Sequence, residues 1–456
     1  MIANPRQTRI SMERRDMNRM KTLLMISAMC TSPFALAGGS QTCTADFTGD
    51  GSLDFFDVSA FLVGYQSQDP ISDLNNDGLF NFFDVSAFLI AYQDGCDLVD
   101  SDNDRIPDLY ETNDGVYINE KATGSDPFDA DTDDDGIRDG DEVLGTIDGL
   151  DLPAMGANPV RRTIFVEVDW NEGFVEGEER NFRPTEAGVQ RIVDCFADAP
   201  VENPYGGAPG IDIIIDYGQG GAFTGGAALP GDPSVSIQFD NEFNFIKSIF
   251  FDSNRNGYFH YCLSANRYNS PDNGSSGIAE LNGDDFMVTL AGFYSDYNFS
   301  QTFVHEIGHN LGLRHGGFEN RNWKPNYNSV MNYRFQFPGK DIDADTIGDG
   351  VLDYSTGDYF NINEASVREI DGVAGIGVDF NGNSVLEPLS YQANLNCFAV
   401  YAAPCATMDG CDDDTCDVLQ DSNDWANLNY FGITQSTDRR PEAVEIIECD
   451  NPPSTR

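Results

Sequence analysis

Three histidines and a glutamate between residues 305 and 315 have the spacing of a metal-dependent hydrolytic site. The segment reads His305-Glu306-Ile307-Gly308-His309-Asn310-Leu311-Gly312-Leu313-Arg314-His315. On a helix, His305 and His309 project from one face, where two imidazoles can share one metal ion. Glu306 is then close enough to handle a proton on a metal-bound water. His315 supplies a third ligand, and the open fourth position is typical of a catalytic zinc.

This motif requires a helix that ends near Gly312. Four apolar residues fall opposite the two helical histidines and can be buried: Phe303, Val304, Ile307 and Leu311. Gly312 can adopt the positive φ that ends the helix and lets His315 return. Ordinary surface or core histidines are the alternative, but three of the four histidines in the chain belong to this motif. The spacing therefore favours a zinc site.

The motif resembles the metzincin clan of zinc metallopeptidases, whose signature is His-Glu-x-x-His-x-x-Gly-x-x-His followed by a methionine-containing turn. Downstream, Asn328-Ser329-Val330-Met331-Asn332-Tyr333 is similar to that turn. The resemblance implies that Met331 lies beneath the metal and that Tyr333 contacts the zinc or the developing oxyanion. Without it, Met331 would be core filler and Tyr333 a half-buried aromatic residue.

The peptidase domain is expected over residues 160–450, as an α+β metzincin-like fold with a twisted mixed sheet and an active-site helix. Strands are predicted at 163–169, 211–216 and 285–290. Pro184 is expected to open a helix that carries four apolar residues on one face: Val189, Ile192, Val193 and Phe196. In metzincins the edge strand in the region before the active-site helix pairs with an extended substrate, which implies main-chain recognition of peptides.

The first 37 residues have the features of a signal peptide. Basic residues precede an apolar run from Leu23 towards Leu36, and Ala35-Leu36-Ala37 places small residues at a cleavage site. A buried helix is the alternative. The run is too short to cross a membrane, and no later stretch is long enough either, so we expect no membrane span.

The chain is strongly acidic, with a formal net charge of −50. Such a protein should avoid nucleic acid and anionic membranes. Its hydrophobic fraction of 40% argues against disorder. Because the acids recur in patterned loops, they indicate bound calcium ions rather than solvation alone.

Residues 43–96 contain a repeat of two twelve-residue, EF-hand-like calcium loops, each leading into a helix. The oxygen ligands predicted for the first loop are Asp46, Thr48, Asp50, Asp54 and Asp57. Those predicted for the second loop are Asp73, Asn75, Asp77, Asn81 and Asp84. The pair resembles a dockerin module, which implies a cohesin-like partner; a calcium-folded spacer without a partner is the alternative. Cys43 and Cys96 bracket the module and could form a disulfide.

Residues 97–145 continue the acidic pattern with the same ligand spacing. The predicted ligands of the first loop are Asp100, Asp102, Asp104, Asp108 and Glu111. Those of the second loop are Asp131, Asp133, Asp135, Asp139 and Glu142. The segment resembles thrombospondin type 3 repeats, although Arg105 takes the place of the glycine that the second loop has at Gly136. We expect a calcium-stabilised stalk that holds the catalytic domain away from its anchor.

Cysteine usage suits an oxidising compartment, with nine cysteines remaining after residue 37. Four of them cluster near the C-terminus, at Cys397, Cys405, Cys411 and Cys416. Disulfides are favoured over a second zinc site because the spacing lacks Cys-x-x-Cys pairs. His260, the one histidine outside the motif, is predicted to be structural.

The sequence thus predicts a multidomain, secreted or surface-associated zinc endopeptidase that acts on proteins or peptides. It would use one catalytic Zn²⁺, several structural Ca²⁺ ions, and Glu306 as general base. A calcium-dependent adhesion or scaffold protein with a latent or inactive peptidase domain is the alternative. A precursor blocked by a free cysteine and a hydrolase acting on something other than peptide also remain open.

Overall fold

The structure is a computed structural model of the 456-residue chain. It describes residues 45–48, 53–74, 78–94, 100–175, 177–230, 236–270, 274–397, 405, 411–412, 415–430 and 446–449. The predicted signal peptide, Cys43, Cys96 and the predicted calcium ligands Asp50, Asn75 and Asp77 lie outside these residues. The chain divides into two compact units, Met1–Asp97 and Leu98–Arg456.

The first unit contains two helices, α1 (Phe55–Ser67) and α2 (Phe82–Asp94), each preceded by one of the repeated acidic loops. Asp54 caps α1 by accepting a hydrogen bond from the backbone N–H of Phe56. Phe61 of α1 stacks on Phe88 of α2 with ring centroids 4.1 Å apart. Phe61 and Phe88 occupy the same position in the two halves of the repeat. Each helix therefore contributes an equivalent ring to this small aromatic core.

The second unit begins with the acidic segment and the short helices α3 (Asp139–Leu144) and α4 (Leu152–Met155). Contrary to the expectation of a separate stalk, this segment packs on the catalytic sheet. The backbone N–H of Thr163, the first residue of the sheet, donates to Asp135 Oδ2 at 2.7 Å. The Tyr258 hydroxyl donates to Asp141 Oδ2 at 2.7 Å. The acidic segment and the catalytic domain therefore form one compact unit.

The central sheet is built around one long strand, β1 (Thr163–Val175). The other strands of this sheet are β2 (Glu178–Asn181), β3 (Asp212–Asp216), β4 (Ala228–Leu229), β5 (Phe259–Ala265), β6 (Gly277–Glu280), β7 (Asp285–Thr289) and β10 (Ile446–Cys449). The order is β10-β6-β7-β5-β1-β2, with β3 and β4 also paired to β1. Pairs β1–β3, β1–β5 and β5–β7 are parallel, whereas β6 is antiparallel to both β7 and β10. The described sheet is mixed, as predicted.

Both faces of β1 are buried over residues 163–171, where apolar side chains alternate with the buried carboxylates of Glu167 and Asp169. Val166 and Val168 face the helices α5 (Glu186–Ala197) and α7 (Asp296–Asn310). Phe165 faces the opposite layer, where α4 and the helix α6 (Asn244–Phe250) lie. Helix α5 starts two residues after the predicted Pro184 because the Thr185 side chain caps it, accepting from the Gly188 N–H at 3.1 Å.

The described residues between α7 and β10 form little regular structure. It contains the short paired strands β8 (Ile362–Asn363) and β9 (Val418–Leu419) over a separate apolar core. Two disulfides join Cys397 to Cys411 and Cys405 to Cys416, which answers the pairing question left open by the sequence. Among the described residues, no helix combines the length and apolar character needed to cross a bilayer.

Candidate active site

The three histidines of the motif meet at the C-terminal end of α7. His305 and His309 lie one turn apart on the helix, with their Nε2 atoms 3.2 Å apart. Helix α7 ends at Asn310, and Gly312 has a φ of 94°, so the chain turns back and brings His315 to the pair. The His315 ring centroid is 5.3 Å from that of His305 and 4.9 Å from that of His309. The sequence spacing thus produces one cluster.

The two helical histidines are held in the tautomer that a metal needs. His305 Nδ1 lies 2.7 Å from the Val330 carbonyl oxygen, and His309 Nδ1 lies 2.7 Å from that of Leu313. Because a carbonyl only accepts, each Nδ1–H donates and each Nε2 keeps its lone pair. Burial lowers the pKa of His305 to about 4 and holds that of His309 well below its usual range. Both rings are therefore neutral at pH 7.

This donor set fits a zinc ion. One potential ligand atom from each of the three histidines lies within 4.8 Å of the others. Two nitrogens bound at about 2.0–2.1 Å to a tetrahedral zinc would stand about 3.3 Å apart, close to the Nε2 separation seen here. Three imidazoles, two of them bonded through Nδ1 to backbone carbonyls, match the usual zinc-histidine arrangement, and they leave coordination positions for water and substrate.

Glu306 follows His305 on α7, and its carboxylate lies against Gly277 at the start of β6. Its side chain is fully buried. A Cβ atom placed on Gly277 would collide with the Glu306 carboxylate and with the Met287 carbonyl oxygen. Only glycine at 277 therefore lets β6 approach the carboxylate so closely. The sequence identifies Glu306 but gives no sign of this approach, because Gly277 lies far from the motif.

Met331, which the sequence resemblance places beneath the metal, packs against α7. It is completely buried, and a Cβ atom on Gly308 would collide with its sulfur. Gly308 lies between the two helical histidines, so the methionine packs against the helix directly behind them. The neighbouring residue Val330 supplies the carbonyl that orients His305. The turn thus supports both the position of α7 and the orientation of one ligand.

Tyr333 adjoins the cluster on the side of His315, with ring centroids 4.4 Å apart. It is 9% exposed. Its backbone N–H donates to Asn322 Oδ1 at 2.9 Å, and the Trp323 N–H donates to the same oxygen at 2.8 Å. Asn322 is a positioning residue that the sequence analysis missed, since a lone asparagine in a loop gives no motif signal.

His260 lies outside the cluster. It is buried, its Nδ1 is 3.1 Å from Asn310 Oδ1, and burial lowers its pKa to about 4. The Asn310 amide also donates to the carbonyl oxygens of Glu280 and Asp285 at 2.8 and 3.1 Å. His260 thus joins β5 to Asn310 at the end of α7, and Asn310 joins that end to β6 and β7, so the role of His260 is structural.

The second acidic loop of residues 97–145 has a geometry suited to a cation. Asp131 accepts hydrogen bonds from the N–H groups of Asp135 and Gly136 at 3.1 and 3.0 Å. Asp133 and Glu142 are fully buried, and neither Asp133 Oδ2 nor Glu142 Oε2 accepts a hydrogen bond from any described residue. Burial and neighbouring carboxylates raise the pKa of both groups well above the usual range. A bound cation would satisfy these oxygens.

The first acidic loop meets the second through side chains that the sequence did not connect. Asp104, Glu111 and Asp139 bring carboxylate oxygens within 4.8 Å of one another. Desolvation raises the pKa of Asp104 to about 6, and of Glu111 and Asp139 to about 8. Arg105, at the position where a glycine was expected, has a φ of 90° and donates to the Gly140 carbonyl oxygen at 2.6 Å. The arginine thus joins the two loops.

In the two loops of residues 43–96, the described residues show how the last acidic side chain of each loop is hydrogen-bonded. Asp57 Oδ1 accepts from the Thr48 N–H at 3.0 Å, and its Oδ2 accepts from the Asp54 N–H at 2.9 Å. In the second loop Asp84 Oδ1 accepts from the Leu74 N–H at 3.0 Å, and its Oδ2 accepts from the Asn81 N–H at 2.8 Å. The last acidic residue of each loop therefore closes the loop onto its helix.

Two further segments that the sequence left as partial loops or ordinary turns fold in a related way. Asp341 accepts from the Thr346 N–H at 2.9 Å, and Asp379 accepts from the Ser384 N–H at 2.6 Å. Both bonds join the first and sixth residues of the segment, as the bond from Gly136 to Asp131 does. These segments share the turn of the acidic loops, with fewer carboxylates.

Comparison with known proteins supports the same chemistry. No curated protein sequence matches the chain. Residues 227–346 match the family model Peptidase_M10, described as Matrixin. The matched region runs from β4 through α7 and includes the three histidines, Glu306, Met331 and Tyr333. Residues 227–346 are thus similar to the matrixins, and this similarity supports a zinc-dependent metallopeptidase of the metzincin clan.

Proposed function

We propose that the chain is a secreted zinc endopeptidase that hydrolyses peptide bonds at the cluster of His305, His309 and His315. The observation that carries this proposal is that the three histidines bring ligand atoms within 4.8 Å of one another, with both helical Nδ1 atoms bonded to carbonyls and the buried Glu306 next to His305 on the same helix. This arrangement leaves nitrogen lone pairs directed at one point, next to a group that can take a proton.

In the proposed mechanism a bound zinc ion supplies a Lewis acid that acidifies water and polarises a carbonyl. Glu306 takes the proton of the attacking water and passes it to the nitrogen of the leaving amine. Tyr333, beside His315, donates a hydrogen bond from its hydroxyl to the oxyanion that develops on the substrate. Because β6 begins against Glu306, an extended peptide hydrogen-bonded along β6 would bring a peptide bond to the carboxylate.

The decisive variant is Glu306→Gln, which removes the base and keeps the size of the side chain. We expect it to bind one zinc per chain and to hydrolyse casein at least about 100-fold more slowly than the unchanged chain. Glu186→Gln, at an exposed position in the first turn of α5, is the matched control and should retain full activity. In the unchanged chain, 1,10-phenanthroline should abolish hydrolysis and added zinc should restore it.

Full activity of the Glu306→Gln variant would refute the assigned base. Hydrolysis that continues in 1,10-phenanthroline would refute the metal dependence. Absence of cleavage despite one bound zinc per chain would instead favour a latent enzyme or the adhesion protein considered from the sequence.

We further propose that the acidic loops of residues 97–145 bind calcium. The support is the set of buried carboxylate oxygens without a partner among the described residues, on Asp102, Asp104, Glu111, Asp133 and Glu142. Hard oxygen donors of this kind suit Ca²⁺. The loops of residues 43–96 are proposed to bind calcium as well, and a cohesin-like partner for that module remains a proposal from the sequence resemblance.

A further inference from the structure

Strand β10 covers the outer edge of β6. The register pairs Ile446 with Glu280, Ile447 with Ala279, Glu448 with Ile278 and Cys449 with Gly277, in antiparallel orientation. Ile447 is buried, with 8% of its surface exposed. The edge of the sheet that would otherwise be open is therefore occupied by a segment from the C-terminal end of the same chain.

This occupied edge leads directly to the candidate catalytic group. Gly277 is the first residue of β6, and it touches Glu306 so closely that no Cβ atom would fit between them. Because β10 is antiparallel to β6, it runs towards Gly277, and its last residue is the one paired with Gly277. Residues 446–449 thus lie where the residues before a bond to be cut would lie.

We propose that β10 is a built-in occupant of the substrate edge and that it holds the full-length chain at low activity until it is displaced or removed. This inference rests on the proposed peptidase function. A protein or peptide substrate needs the backbone N–H and C=O groups of β6 that β10 now uses, so the two strands are mutually exclusive.

The tether explains how a short strand can compete with substrates. Residues 431–445 connect β10 to the rest of the domain in the sequence, a linker of 15 residues. A covalent connection of about this length holds its end at an effective concentration on the order of 1 mM. If the free segment bound with a dissociation constant of about 0.1 mM, the tethered segment would lower kcat/KM about tenfold.

The test disrupts the backbone hydrogen bonds between β10 and β6 in the full-length chain. In the double variant Ile447→Pro with Glu448→Pro, one of the two prolines must remove an N–H that faces β6, because neighbouring N–H groups point in opposite directions. The control is Ser454→Pro with Thr455→Pro, which adds two prolines beyond the strand. We expect kcat/KM for casein to rise about tenfold in the first variant and to stay unchanged in the second.

A binding measurement separates this inference from the proposed function. A fluorescein-labelled peptide with the sequence of residues 442–449 should bind the Ile447→Pro/Glu448→Pro chain about tenfold more tightly than the unchanged chain, as followed by fluorescence anisotropy. Tighter peptide binding by the proline variant, without hydrolysis by either chain, would refute the peptidase proposal. It would still support the proposal that β10 occupies the edge of β6. Equal binding and equal kcat/KM in both chains would show that β10 is only a structural strand.

Hydrogen exchange gives a readout that does not depend on how well the proline variant folds. In the unchanged chain, millimolar labelled peptide should displace β10 and expose the backbone amides of residues 446–449 to faster exchange. Unchanged protection of these amides at a peptide concentration that saturates the anisotropy signal would overturn the proposal.

Discussion

Two backbone carbonyls determine how the helical histidines are presented. The carbonyl oxygens of Val330 and Leu313 each fix one imidazole through its Nδ1, so the metal-facing nitrogens do not depend on the metal for their orientation. A site prepared in this way loses little side-chain freedom when an ion binds. The residues after α7 thus contribute to the centre through their backbone, which side-chain patterns do not reveal.

Tyr333→Phe tests the proposed oxyanion donor at the scale of one atom. Removing the hydroxyl should lower kcat about 100-fold while KM changes little, because the interaction would form only in the transition state. The zinc content, measured by inductively coupled plasma mass spectrometry, should remain one per chain. An unchanged kcat would reduce Tyr333 to a packing residue beside His315.

Gly277→Ala tests the close approach of β6 to the general base. The added methyl group would displace the Glu306 carboxylate, so we expect kcat to fall by about 100-fold in a folded, zinc-loaded protein. Gly207→Ala is the matched control, since its Cβ atom would meet other atoms no closer than 3.5 Å. Normal steady-state kinetics in Gly277→Ala would show that the contact with Glu306 is not needed for turnover.

At the scale of elements, the local sequence predicts the parts of the site well. The apolar spacing and Gly312 locate α7, and the buried strands β1, β3 and β7 begin within one residue of the predicted positions. The start of α5 is misplaced because Thr185, not Pro184, sets the cap. These features depend on neighbours along the chain, which is why spacing and capping rules can find them.

The pairing of distant elements could not be predicted. Nothing in the short run 446–449 specifies that it pairs with β6, because four residues carry no period that identifies a partner. The cluster of Asp104, Glu111 and Asp139 could not be predicted either, because the ligand spacing assigns each carboxylate to its own loop. Tertiary contacts across many residues decide both arrangements.

Arg105 provides a prediction at this scale, because it joins the two acidic loops while its own φ is 90°. Arg105→Ala and Arg105→Gly should both lower the melting temperature by removing the contacts to Gly140 and Asp141. The alanine variant should be less stable than the glycine variant by about 1 kcal/mol, because alanine retains the backbone strain.

The control for this pair is Arg368→Ala, whose ion pair with Asp371 is exposed. Its loss should change the free energy of unfolding by less than about 0.5 kcal/mol. Equal stability of Arg105→Ala and Arg105→Gly in chemical denaturation would contradict the strain argument.

At the scale of the whole molecule, the buried carboxylates predict an inverted pH dependence without calcium. Burial raises the pKa of Asp135 and Asp139 to about 8, so the folded state holds protons that the unfolded state has lost above about pH 4. Stability should therefore fall as the pH rises from 4 to 8, by up to about 1.4 kcal/mol per pH unit for each proton.

Calcium should reverse the sign of this dependence, because it binds the ionised carboxylates. The measurement is thermal unfolding at pH 5.5 and pH 8, in EGTA and in millimolar calcium. The calcium-dependent rise in melting temperature should be larger at pH 8 than at pH 5.5. A melting temperature that is unaffected by calcium at both pH values would refute the calcium sites.

The hydrogen bond from the Thr163 N–H to Asp135 has a consequence for where the candidate active site can assemble. The acidic segment holds the first residue of β1, the strand at the centre of the sheet. In a chain made where calcium is scarce, this segment would be unstable and would not hold the start of β1 in place. The EGTA samples represent this state. Scarcity of the ion would then delay assembly of the candidate active site.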